Sequence, residues 1–198
     1  MTTAPLEPTS ATAARRGALF LDRDGTIIVD EHYLGDETRV RLLPGAARAV
    51  RRANAAGVFV VVVTNQSGIG RGLITNAQYQ RVAARVIALL AEHDAYVDAT
   101  YYCPHAPASA DACECRKPGL GMYQQAARAL SLDLASSAYI GDKWRDIAPA
   151  LAANGLGILV PAATTPPADL ERAVLSAHTS PDLEQAVAQA LSWMRASR

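Results

Sequence analysis

No apolar run in this chain of 198 residues approaches the roughly 20 residues needed to cross a bilayer, and the N-terminus carries no hydrophobic core of the signal-peptide kind. Both absences argue against a spanning or exported protein and lead to the expectation of a cytoplasmic one. Charge of neither sign is in excess: 19 Lys and Arg stand against 19 Asp and Glu, and the pI lies near 6.9. With no basic surplus or stripe to attract nucleic acid or anionic lipid, neither partner is expected, and any affinity for phosphate has to be local. Cysteine is scarce as well. Cys103, Cys113 and Cys115 are the only three, and they share one short stretch with His105. An odd count in so small a window is a poor disulfide framework but a ready set of metal ligands.

What the chain does have is apolar material: half of its residues are hydrophobic, enough for one sizeable core and hardly for two. A single domain over residues 17–198 is expected, as a monomer. Residues 1–16 mix Pro, Thr, Ser and Ala without apolar periodicity and read as a flexible tail. From there apolar runs suited to buried strands (18–21, 58–63, 97–102, 138–140 and 156–160) alternate with helical patterns at about 44–57, 76–92, 121–130 and 147–153. A last helix starts near Ser180-Pro181, a cap followed by a first-turn proline. Residues 29–43 read as a small flap or hairpin. The alternation predicts an α/β fold, a doubly wound and mostly parallel sheet, in which sites lie beyond the carboxyl ends of the strands. Polar clusters at 22–26, 64–68 and 141–146 each follow an apolar run directly.

The first of these clusters organises the rest. In ALFLDRDGTII an apolar run breaks into Asp22, Arg23, Asp24 and Gly25. Two carboxylates one residue apart at a strand end suit a hard divalent cation and phosphoryl chemistry, since a carboxylate can both bind the cation and attack phosphorus. A lone Asp-x-Asp-Gly is more often a surface turn; here it follows a strand and has partners downstream. The sequence DRDGT resembles the first motif of the haloacid dehalogenase (HAD) superfamily of aspartate-nucleophile phosphatases. The resemblance implies that Asp22 becomes phosphorylated and that Asp24 is the general acid and base. It also implies that Thr64 and Lys117 neutralise phosphate oxygens, and that Asp142, Asp22 and the backbone carbonyl of Asp24 hold Mg²⁺. Taken singly, Thr64, Lys117 and Asp142 could equally be a turn, a surface lysine and a loop.

A second constellation is Cys103-Pro104-His105, seven residues, then Cys113-Glu114-Cys115. Three thiols and an imidazole meet the tetrahedral demand of structural zinc, although the C-x-H and C-x-C spacings are tighter than in ordinary zinc fingers. The alternative is three reduced, partly buried thiols. A zinc loop spanning 103–115 would leave no open coordination position and would fix Arg116 and Lys117, which follow it, over the site. Together FLDRDGTI, VVVTNQSGIGRG, the CPH to CECRKP loop and IGDKWRD resemble the D-glycero-D-manno-heptose 1,7-bisphosphate 7-phosphatase family, over residues 17–160. In that family the flap and the Arg-Lys pair contact the sugar and its distal phosphate. The matching positions are Asp30, Glu31, His32, Tyr33, Thr64, Asn65, Gln66, Ser67, Arg116, Lys117 and Lys143. Ala106, Leu120 and the flap residues Glu31 and His32 depart from the family pattern, which bears on the sugar more than on the reaction.

There is no room for a cap domain, either before residue 58 or between Asp98 and Lys117, so selectivity falls to the flap and the zinc loop. Histidinol-phosphate phosphatases share both motifs, but they typically carry an Asp after TNQ and lack the arginine that follows; this chain has Ser67 and Arg71. An idle, zinc-stabilised phosphosugar-binding module is the rival of another class, and retention of both Asp22 and Asp24 argues against it.

Overall fold

The computed structural model describes residues 16–107 and 113–196. Its elements run β1 (Ala18–Leu21), α1 (Ala46–Ala55), β2 (Phe59–Asn65), α2 (Ser67–Gly70), α3 (Asn76–Ala91), β3 (Ala99–Cys103), α4 (Gly121–Leu130), β4 (Ala138–Gly141), α5 (Trp144–Ala153), β5 (Leu156–Leu159), α6 (Pro167–Ser176), β6 (His178–Thr179) and α7 (Leu183–Ala196). The strands form one six-stranded sheet in the order β3-β2-β1-β4-β5-β6, and every neighbouring pair is parallel. Strand order reverses between β1 and β4, so a crevice opens beyond their carboxyl ends.

Side chains of the central strands alternate between two buried clusters, as the period of two requires. Leu19, Leu21, Val60, Val62 and Ile140 enter one cluster with residues of α1, α3 and α7. Ala18, Phe20, Val61, Val63 and Tyr139 enter the other with Met122 and Tyr123 of α4. There Phe20 meets Tyr123 edge-on and Tyr139 at a tilt, each with ring centroids 5.1 Å apart. Burial of the central strands on both faces explains why β2 reads as an unbroken β-branched run. Among the described residues no helix is long and apolar enough to cross a membrane.

Helix boundaries follow local chemistry. Thr75 caps α3 through a reciprocal exchange with Gln78, in which the Gln78 N–H donates to the threonine hydroxyl at 3.1 Å and the Thr75 N–H to the Gln78 side chain at 2.7 Å. Helix α5 starts at Trp144, ahead of the expected 147, because the Lys143 N–H donates to the Asp146 carboxylate at 3.0 Å and so closes the first turn. Residues 167–179, which carried no expectation, form α6 and the edge strand β6. The flap after β1 is tied down by bridges from Ile28 to Asp24 and Leu42, and contains a single 3₁₀ turn at Glu37–Arg39. Among the described residues nothing else intervenes between β1 and α1 to form a cap. The expected N-terminal tail lies outside the described residues except for Arg16, and so do 108–112 of the proposed zinc loop.

Candidate active site

Asp22 leaves β1 at the reversal point with its N–H donating to the Ile140 carbonyl at 2.9 Å, which ties the end of β1 to β4. Its carboxylate is buried, and Oδ1 accepts from the Lys117 ammonium at 2.6 Å. Lys117, 3% exposed, also donates to the Val63 carbonyl at 2.6 Å and forms an ion pair with Asp146 Oδ1 at 2.7 Å. The lysine is delivered by its backbone: the Asn65 side chain accepts from the Lys117 N–H at 3.0 Å and donates to the Lys117 carbonyl at 3.2 Å. Asn65 therefore spends its amide on Lys117.

Asp142 emerges from β4 beside Asp22. Oxygens of Asp22, Asp142 and Asp146 lie within 4.8 Å of one another, and all three residues are buried. Lys143 spans the mouth of this cluster, donating to Asp142 Oδ2 at 2.9 Å and to Asp30 Oδ2 at 3.2 Å. Gly25 makes the crowding possible: a Cβ on it, at φ +87°, would meet Asp142 Oδ2 at 2.6 Å. Burial pushes the Asp22 carboxyl up to about 7; Lys117 opposes the shift, whereas Asp146, Asp142 and Asp24 add to it. Burial, and then Asp146, raise Asp142 as well. Burial alone would lower Lys117, but the charges of Asp146 and Asp22 outweigh it and hold the ammonium above its ordinary value.

The carboxylate of Asp24 turns away from this cluster. Arg23 donates to both of its oxygens, Gln66 Nε2 donates to Oδ2 at 2.8 Å, and the Thr64 hydroxyl lies 3.4 Å from the same oxygen. Beyond these groups opens a cavity of about 240 Å³ lined by Asp22, Asp24, Tyr33, Ser67, Lys143 and Arg145, among others. Asp30, His32, Thr64, Asn65 and Gln66 also line it. His32 and Tyr33 both take positive φ, +31° and +56°, a conformation rare for residues with side chains and held here by packing of Tyr33 on Gly68. Glu31 is not on the wall, because Arg39, at 2.7 Å, and Arg41 take up its carboxylate. Arg116 is also absent from the wall, and its guanidinium donates to the His105 carbonyl at 3.1 Å.

The cysteine-bearing loop packs against α2, with the Gly70 N–H donating to the Pro104 carbonyl at 2.8 Å. Cys103 Sγ lies 3.5 Å from both Cys113 Sγ and His105 Nδ1, and His105 Nδ1 lies 3.3 Å from Cys115 Sγ. Ligands bound to one tetrahedral zinc would be separated by about 3.3–3.8 Å, a range these three separations share, and all four donors lie within 4.8 Å of one another. Burial and the neighbouring thiols push Cys115 up to about 12. Thiolates this close would need a cation between them.

Residues outside the expected set also join the site, Arg23 and Arg145 on the cavity wall among them. Asp146 lies in the GDKWRD motif, four positions after Asp142, and its spacing was the available signal. Thr164 and Thr165, in the loop after β5, reach Asp142: the Thr164 hydroxyl lies 3.3 Å from Oδ2, and the Thr165 hydroxyl donates to the Asp142 carbonyl at 2.7 Å. Only their position after a strand end marked them.

A parallel sheet with an Asp-x-Asp at the end of β1, a buried lysine against the first aspartate and a second acidic cluster after β4 defines a hydrolase of the HAD type. The HAD-hydrolase-like family model matches residues 114–186. The D-glycero-β-D-manno-heptose-1,7-bisphosphate 7-phosphatase of Escherichia coli K12 is 42% identical over 72% of this chain and 78% of its own length. The protein of the same name from Rhodopseudomonas palustris is 40% identical over 73% and 83%. Among solved structures, the D,D-heptose 1,7-bisphosphate phosphatase of B. bronchiseptica, complexed with magnesium and phosphate, superposes with a TM-score of 0.79 at 33% identity, covering 89% of this chain and 98% of that one. The chain belongs to the D-glycero-β-D-manno-heptose-1,7-bisphosphate 7-phosphatase family of the HAD superfamily.

Proposed function

We propose that this chain is a Mg²⁺-dependent phosphatase that removes the C7 phosphate of D-glycero-D-manno-heptose 1,7-bisphosphate through an aspartyl phosphate, giving heptose 1-phosphate. The observation that carries this reading is Asp22: buried, paired with Lys117, beside Asp142, and on the wall of a cavity open to solvent. An oxygen of Asp22 attacks phosphorus, the bond from phosphorus to the C7 oxygen breaks, and Asp24 gives that oxygen its proton. A water then attacks the phosphoryl group on Asp22 and passes its proton to Asp24. Inorganic phosphate leaves, and both carboxyl groups return to their starting state. On this reading the Lys117 ammonium, behind Asp22, and the Thr64 hydroxyl, on the cavity wall, neutralise phosphoryl oxygens.

The donor set fits a divalent cation. Asp142 Oδ1 is buried without a hydrogen-bond partner, and oxygen-rich clusters of this charge suit Mg²⁺. Asp22, Asp142 and the Asp24 carbonyl would hold it, while Asp146 is committed to Lys117 and to the Lys143 N–H. Once bound, the cation neutralises charge on the transferred phosphoryl group. Cys103, His105, Cys113 and Cys115 would hold a structural Zn²⁺. Cys113→Ala is expected to lose that zinc, measured by elemental analysis of the purified protein, and to lower activity only indirectly; unchanged zinc content would count against the site.

The distal phosphate and the sugar fall to Asp30, His32, Tyr33, Ser67 and Lys143 on the wall, and to Arg116, which would have to swing from the His105 carbonyl to give a phosphate its two-point grip. Glu31, engaged by two arginines, acts by shaping the flap. Cysteines outside any disulfide fit the reducing cytoplasm, and zero net charge fits a small sugar phosphate as the partner, without nucleic acid or membrane. The test compares kcat/KM for the heptose bisphosphate and for histidinol phosphate, with Mg²⁺ and with EDTA. Gripping a second phosphate is expected to favour the bisphosphate by about 10²-fold or more. Equal or better turnover of histidinol phosphate overturns the substrate, and absence of phosphate release from either overturns the enzyme.

A further inference from the structure

The residue between the two aspartates holds the second of them. Arg23 Nε donates to Asp24 Oδ2 at 3.1 Å and Nη2 donates to Oδ1 at 3.0 Å, a two-point grip that fixes the plane of the carboxyl group as well as its place. Arg23 is 2% exposed, and burying a guanidinium is costly unless it is paired. Two groups make it tolerable here: the carboxylate in front, and the Tyr79 ring of α3, whose centroid lies 5.4 Å from the guanidinium carbon. Tyr79 is itself wedged against Tyr102 of β3 with ring centroids 4.2 Å apart, and the Tyr102 hydroxyl donates to Asn76 at 2.9 Å. A packed line therefore runs from α3 and β3 through Arg23 to Asp24.

The grip is uneven. Oδ2 accepts from Arg23, Gln66 and Thr64, whereas Oδ1 accepts from Arg23 alone. We infer that Arg23, backed by Tyr79, is a positioning residue for both proton transfers, locking the Asp24 carboxyl plane so that Oδ1 is the oxygen that exchanges the proton. This rests on the reading of Asp24 as general acid and base. A lysine at the same position would keep the charge and lose the fork.

The experiment separates the two chemical steps in Arg23→Lys, using the heptose bisphosphate and p-nitrophenyl phosphate. An alkoxide leaving from the sugar needs a proton, whereas p-nitrophenolate leaves without one. Phosphorylation of Asp22, followed by rapid quench, is expected to slow about 10²-fold with the sugar ester and less than about 10-fold with the aryl ester. Breakdown of the phosphoenzyme needs Asp24 as base in either case, so p-nitrophenolate should appear as a burst of one equivalent per site. Tyr79→Leu, which leaves every charge in place, should give the same pattern with smaller losses, and decides alone if Arg23→Lys does not fold. Equal slowing of both esters without a burst overturns the positioning role. Wild-type protein that turns over neither ester overturns the proposed function instead.

Discussion

Asp22→Asn is expected to lower turnover at least about 10⁴-fold while leaving the fold intact, because a carboxamide oxygen is too weak a nucleophile to displace an alkoxide from phosphorus. The substitution keeps the shape of the side chain. Its carbonyl oxygen can still accept from Lys117, where the carboxylate now does so at 2.6 Å. It also removes one negative charge from a buried cluster in which burial first, and then Asp146, Asp142 and Asp24, push the Asp22 carboxyl up to about 7 against the opposing charge of Lys117. Metal-free stability should therefore stay level or rise, which separates loss of the nucleophile from loss of the fold. The measurement pairs phosphate release with mass spectrometry of acid-quenched protein: a phosphoryl adduct on the wild type and none on the variant. Turnover near that of the wild type would refute the nucleophile assignment.

The layout of the site was legible because parallel strands buried on both faces leave a strong trace. β1 and β2 read as unbroken apolar runs, and the polar residues that end them fall at the mouth of the crevice. What one dimension hid was direction and pairing. Asp146 stood in a motif already singled out, but only helix α5, begun by its own bond to the Lys143 N–H, turns its other oxygen onto Lys117. Asn65 carried the expectation of a substrate contact, and the structure shows its amide clamped on the Lys117 backbone. Glu31 meets Arg39 and Arg41, a pairing that exists only once the flap has curled. Helix α6 escaped notice for a plainer reason: Ala173 is its only buried residue, so no apolar stripe marks it, and Leu175 on its surface is 84% exposed.

Lys117→Met should damage both stability and rate, and the pH dependence of the damage identifies the cause. Removing the ammonium leaves Asp22 and Asp146 buried without their shared cation, a loss expected to cost about 3–5 kcal/mol where both are ionised. The wild-type lysine already works against burial, and with it in place the Asp22 carboxyl stands at about 7; without it the carboxyl must rise further. A carboxyl whose pKa is higher folded than unfolded binds more protons in the folded state. Its contribution is fully present below the unfolded value near 4 and is lost as pH climbs through the folded one. In EDTA the deficit of the variant relative to wild type should therefore be smallest near pH 4–5 and grow through pH 7 and above, read by urea denaturation at each pH. A deficit independent of pH would mean that the lysine matters for packing and not for charge. Turnover with Mg²⁺ should fall about 10²–10³-fold if, as proposed, the fixed positive charge of Lys117 acts on the transferred phosphoryl group.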